Sequence, residues 1–293
     1  MTIHRRRLAV LVALSLSLAV GGLAASACGD DRPSTPRDAG LRPLRRVPAP
    51  PPATPTATGG FRVLHTLPRG PQSERQRLIG YLNDEVLAEA AADLNAYYRL
   101  PRDVSVRMVP CGTANAAYVP ADHVILFCEE FVDEFVTLFA GTADADDRDQ
   151  QVVAATAFFF LHEVGHALIG ELELPVFGNE EAAADTYAAY LLLSRGHARL
   201  ALGAADTLLL MARQHAAAGI SIPAWDVHGL DEQRFFNVVC LIYGSDPARF
   251  ARIVDAGFLP VDKARECPDS WRTSAARIEL ALAPATAAPA VAP

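Results

Sequence analysis

The spacing of apolar residues predicts strands early in the chain and helices late. Within 72–98, Leu78, Leu82, Val86, Ala90 and Leu94 recur every four residues, the stripe of a helix that packs by one face, and Pro101 closes it. Residues 103–109 alternate apolar and polar, the period of a half-buried strand. Two short apolar runs follow, Ala116–Val119 and 124–127, parted by Pro120-Ala121-Asp122-His123. They read as neighbouring strands joined by a tight turn. A helix is expected over 130–139. Beyond Gln150 the pattern is helical throughout, over about 150–170, 180–194, 197–217, 231–243, 246–256 and 261–281, with Gly and Pro marking the breaks. The class is therefore α+β, a small N-terminal sheet followed by a mostly helical C-terminal part.

The two ends do not share this patterning. His4-Arg5-Arg6-Arg7, an apolar run over 8–23 and Ala25-Ser26-Ala27-Cys28 have the layout of an export signal covering residues 1–27. About 16 apolar residues fall short of the roughly 20 that a membrane span needs. Ala-Ser-Ala-Cys resembles the lipobox of bacterial lipoproteins, although Ala25 stands where Leu is commoner. That reading makes Cys28 a lipidation site and the mature N-terminus. Residues 28–60 follow as a Pro-rich tether, with eight prolines within 29–60; such a stretch cannot bury a core and runs extended. Residues 283–293 are an Ala/Pro-rich tail, which leaves 61–282 as one globular domain.

Charge changes the picture only after this division. The whole chain of 293 residues carries a formal −8. The domain over 61–282 holds 18 basic against 31 acidic residues, about −13. No basic footprint is present, so a nucleic-acid partner is not expected.

The candidate chemistry begins at His162-Glu163-Val164-Gly165-His166, inside an apolar helical run. Four residues make about one turn, so His162 and His166 point the same way and can hold one zinc ion through ring nitrogens. Glu163 stands beside them as a general base for water. Gly165 is a poor helix residue, which suggests a close neighbour. Catalytic zinc takes three protein ligands. Glu171 to Gly178 ends the first helix and turns the chain, and a second helix then carries Glu181-Ala182-Ala183-Ala184-Asp185. Packed antiparallel, it offers Glu181 as third ligand and Asp185 as the acceptor that orients a ligand histidine, His162 foremost. Glu180 competes with Glu181 for the ligand role. A solvated acidic helix start remains the plainer alternative for this acidic pair.

With these residues in view, the chain resembles a family. H-E-x-x-H followed by E-x-x-x-D looks like the gluzincin metallopeptidases. 'HEVGHALIGELELPVFGNEEAAADTYAA', 'CGTANAAYVP…ILFCEEF' and 'WDVHGLDEQRFFNVVCLIYGSDPARF' resemble more closely a bacterial metallopeptidase family labelled as a domain of unknown function. The resemblance covers about 75–270 and implies a zincin-like fold, zinc on His162, His166 and Glu181, and Glu163 as catalytic base. It also implies that 114–119 is an edge strand able to pair with an extended substrate. The closing segment 'ECPDSWRTSAARIEL' keeps only part of the family's pattern.

Other features weigh less. With Cys28 lipidated, four cysteines remain, an even number in an exported and oxidised chain. Local loop closure favours Cys111–Cys128 and Cys240–Cys267 among three connectivities; a four-cysteine zinc site lacks the usual C-x-x-C. His228 has two readings, a donor to a tetrahedral oxyanion held by Asp226 or Asp231, or a loop residue near a helix capped by Asp231. Tyr187 and Tyr243 read as core. The acidic run 144–149 fails as a calcium loop because Arg148 stands at a ligand position. The expected function is thus a zinc peptidase of the bacterial envelope, lipid-anchored on its periplasmic or extracellular face and acting on peptide or protein substrates. A non-catalytic zinc-binding lipoprotein that serves as a scaffold is the rival.

Overall fold

The computed structural model describes residues 57–64, 73–141, 145–221, 223 and 229–287. The expected export signal, Cys28, nearly all of the Pro-rich tether, the end of the tail, Asp144, Asp226 and His228 lie outside these residues. The described residues fall within one compact unit, Pro51–Pro293.

The chain opens with strand β1 (Phe61–Leu64), which four residues are too short to announce by period. Asn95 grips it instead: the Phe61 N–H donates to Asn95 Oδ1 at 2.8 Å, and Asn95 Nδ2 donates to the Phe61 carbonyl at 2.8 Å. A Cβ on Gly60 would stand 2.3 Å from Asn95 Oδ1, so a larger residue would have to displace the Asn95 side chain from the strand. The expected long helix is present in three joined parts, α1 (Glu74–Tyr81), a π-helical stretch (Leu82–Leu87) and α2 (Ala88–Tyr97). A strict four-residue stripe drifts by about 40° per step on an α-helix. The wider π turn rotates less per residue, which keeps Leu82, Leu87 and Leu94 facing the core.

Strands β2 (Val104–Val109), β3 (Ala116–Val119) and β4 (Val124–Cys128) complete a mixed sheet in the order β1-β2-β4-β3. β1 and β4 run parallel to β2, and β3 runs antiparallel to β4 with Tyr118 opposite Ile125. The tight turn predicted between β3 and β4 is present, with the Asp122 N–H donating to the Val119 carbonyl at 3.2 Å. β3 is therefore an edge strand.

Helices α3 (Glu129–Leu138), α4 (Ala145–Glu171), α5 (Glu180–Ser194), α6 (Ala198–Ala217) and α7 (Asp231–Ser245) follow the predicted spans closely. α4 begins about five residues before the predicted start, so 145–149 forms its first turns. By length and composition α4 could cross a membrane, but 89% of its most apolar window is buried within the protein. It is the central core helix, packed by α5 and α6 on its flanks and by the sheet. The C-terminal end departs from expectation. Residues 247–250 form a turn opened by Asp246, whose Oδ1 accepts the Arg249 N–H at 3.0 Å, and only then does α8 (Ala251–Asp255) begin. The single helix expected over 261–281 is α9 (Val261–Ala264) and α10 (Cys267–Leu282), because Pro268 sits in the first turn of a new helix.

Both expected disulfides are formed, Cys111–Cys128 and Cys240–Cys267. The first ties the loop before β3 to the end of β4. Glu130 reinforces that loop by accepting the N–H groups of Cys111 and Gly112 at 3.0 and 2.7 Å, and these bonds hold its carboxyl below the usual range.

Candidate metal centre

Two helices bring the predicted residues together. α4 carries His162, Glu163 and His166 on one face. α5 starts at a cap in which Asn179 Oδ1 accepts the Glu181 N–H at 2.8 Å, and this fixes where Glu180, Glu181 and Asp185 point. The helices meet at Gly165. A Cβ there would lie 2.9 Å from Ala184 Cα and 3.1 Å from the Ala184 carbonyl oxygen, both backbone atoms. Gly165→Ala should therefore destabilise the domain by about 1–3 kcal/mol through overpacking, although alanine is the better helix former by about 1 kcal/mol. Urea denaturation measures it, and an unchanged or raised midpoint would show that the helices are not in tight contact.

His162 Nε2 lies 3.2 Å from His166 Nε2 and 3.1 Å from Glu181 Oε2, and His166 Nε2 lies 3.5 Å from the same carboxylate oxygen. Three donors held about 2.0–2.1 Å from one tetrahedral ion stand roughly 3.4 Å apart, so two imidazoles and a carboxylate at this spacing suit a metal ion. The other ring nitrogens are held as well. His162 Nδ1 is 2.8 Å from Asp185 Oδ1, and His166 Nδ1 is 2.9 Å from Glu180 Oε1. Glu181 thus meets both histidines on the shared side, while Glu180, half out in solvent, holds the back of His166. Carboxylates behind ligand imidazoles fix the tautomer and ring orientation.

Asp185 leads to a residue that sequence reasoning missed. Arg234 from α7 forks onto it, Nε to Oδ2 and Nη2 to Oδ1, each at 2.8 Å and buried. Its sequence signal is its place on the apolar face of α7, with Phe235, Val238 and Ile242; a cation there needs a buried partner. Burial pushes the Asp185 carboxyl up, but Arg234 and then His162 overcome it and bring it to about 2. Burial pulls the His162 imidazole down, and Asp185 and Glu181 reverse this to about 9. Against a burial effect in the opposite direction, the two histidines hold the Glu181 carboxyl far below its ordinary range.

Glu163 is 6% exposed, and burial raises its carboxyl above the ordinary range. Its Oε2 accepts the backbone N–H of Tyr118 on β3 at 2.7 Å. The same tyrosine donates its hydroxyl to Glu171 Oε1 at 2.6 Å. Glu171, at the end of α4, also meets His123 Nδ1 and Arg102 Nε, the latter at 3.3 Å. Buried Glu171 with these partners pins the β3–β4 hairpin to α4, and the sequence pattern did not reveal it.

The face of the centre opens into a cleft of about 310 Å³ that reaches from His162 and Glu163 to Phe131, Phe159, Met211, His215 and Arg234. Asp231 is the first residue of α7 but caps nothing; its Oδ2 lies 2.7 Å from His215 Nδ1. A groove of about 740 Å³ between α4 and α6 shares none of these residues.

A sequence family described as "Putative metallopeptidase" matches residues 69–279. The chain belongs to this metallopeptidase family. The match spans β2 to β4, the two-helix centre and α7, so every residue of the centre and its supports lies within it; β1 lies before its start. Membership supports hydrolysis of peptide bonds with a metal ion at the coarse level, and His162, His166 and Glu181 are the metal-ion candidates within this metallopeptidase domain. Cys111, Cys128 and Glu130 also lie close together, but the two sulfurs are joined to each other. No curated protein and no solved structure matches the chain.

Proposed function

We propose that the protein is a zinc-dependent peptidase of the bacterial envelope, lipid-anchored through Cys28. The convergence of His162, His166 and Glu181, each histidine backed by its own carboxylate, carries the reading. Nitrogen and carboxylate donors in a set of three are the ligand type that catalytic zinc takes. A bound ion supplies Lewis acidity, polarising the scissile carbonyl and acidifying water. The protein's own groups do the rest. Glu163, buried and steadied by the Tyr118 N–H, takes the proton of the attacking water and returns it to the leaving amine. Its raised affinity for protons suits both halves of that exchange. We read His215, held by Asp231, as a donor towards the developing oxyanion. Asp185 and Arg234 hold His162 in place.

Metal analysis of the purified protein together with a peptide-library cleavage assay tests this. Zinc near one equivalent, cleavage lost on chelation and restored by zinc are expected. Stoichiometric zinc with no cleavage of any library member would favour the scaffold reading.

Metal binding should also release protons. His162, at about 9 in the metal-free protein, carries a proton at neutral pH, and a ligand imidazole must be neutral. Zinc affinity should therefore climb as pH rises towards 9 and flatten above it. Titration calorimetry in two buffers of different ionisation enthalpy reads the release, and identical heats would contradict it.

A further inference from the structure

The cleft beside Glu163 has a charge balance of its own. Phe131 and Phe159 pack edge-on at 4.9 Å along its wall, with Met211 as a further apolar lining residue. Most of its charged groups already have partners. Arg234 is forked on Asp185, Asp231 meets His215, and Glu163 accepts the Tyr118 N–H. The His215–Asp231 pair carries no net positive charge in either protonation state of the imidazole. Glu134 is different. It lies three residues after Phe131 on α3, hence on the same side of the helix. It is half-buried, lines the cleft, and meets no hydrogen-bond or ion-pair partner among the described residues. A carboxylate partly removed from water without a counter-charge is left uncompensated. An incoming cation would relieve it. The volume, about 310 Å³, is at the lower end of ligand clefts and suits a side chain better than a whole molecule.

We propose that this pocket receives a lysine or arginine side chain of the peptide substrate. The apolar stem lies against Phe131, Phe159 and Met211, as amphipathic side chains do, and the cation meets Glu134. A domain charge of about −13 draws cationic peptides to the mouth. This specificity rests on the peptidase reading, but it can be tested apart from it.

The test uses the full chain and quenched fluorescent peptides that differ at one position, fixed as lysine, arginine, norleucine or glutamate. Lysine and arginine peptides should exceed norleucine in kcat/KM by about tenfold or more, the factor a charge-assisted hydrogen bond supplies. Glu134→Gln should bring lysine and norleucine to parity, and Glu134→Lys should shift the preference towards glutamate. Equal turnover of lysine and norleucine peptides by the unaltered protein would overturn the proposal, as would an equal loss on all four in Glu134→Gln. Binding of blocked lysine amide and blocked norleucine amide, followed by NMR shifts, separates the two readings. Glu134-dependent lysine binding with no cleavage would leave the pocket standing and remove the peptidase. Cleavage without any lysine preference would do the reverse.

Discussion

Glu163→Gln should keep its metal and its fold yet lose peptide hydrolysis by about 10²–10⁴-fold, the range of a positioned general base. The amide matches the carboxylate in size and can still face β3. It cannot take a proton from water. At the Tyr118 N–H the change is small, because the amide oxygen accepts in place of Oε2. Glu163 is not among the three converging ligand groups, so zinc content should not fall. The measurement pairs steady-state cleavage of a library-derived peptide with metal analysis of the same sample. A variant that holds zinc and cleaves as fast as the parent would refute the assignment of Glu163 as base.

Asp185→Ala should unfold the domain more easily by about 3–5 kcal/mol, the cost of removing one partner from a buried ion pair. Arg234 would be left buried with neither of its two bonds, and His162 would lose the carboxylate behind its ring. Replacing both partners with apolar residues, Asp185→Leu with Arg234→Met, should recover part of the loss. Acid should act in the same direction. Asp185 sits at about 2 in the folded protein against an ordinary 3.8, so its stabilisation is complete above 3.8 and disappears as pH falls through 2. Urea titrations of both variants, and of the parent across acidic pH, read this. A loss below about 1 kcal/mol for Asp185→Ala would show that the pair is not a buried support.

How far the sequence reached depends on the range of each interaction. His162 and His166 were legible because one helical turn dictates their common direction. Glu181 and Asp185 were legible because a Gly/Pro turn of suitable length brings a second helix back over the first. The strand pattern at 104–109 shows the alternation expected of it. What stayed hidden joins distant segments. Arg234 reaches Asp185 across 49 residues, and His123 reaches Glu171 across 48. No local period records such meetings. β1 was missed because its anchor is the side chain of Asn95, 34 residues away, and not any pattern within the strand. The break between α9 and α10 could have been read from Pro268, which the apolar spacing around it concealed.

Tyr118 meets α4 at two points, its main chain at Glu163 and its hydroxyl at Glu171. Those carboxylates are eight residues apart, about 12 Å along the axis. Such a two-pin mooring forbids sliding. If β3 slipped by a single residue, the ring of residue 118 would turn to the opposite side of the sheet and both pins would come out together. The outer edge of β3, where the Tyr118 N–H meets Glu163, is therefore a fixed ruler graduated in peptide units from that carboxylate. On the proposed peptidase reading, a substrate chain paired with it would have its scissile bond measured off by strand geometry before any of its side chains was recognised.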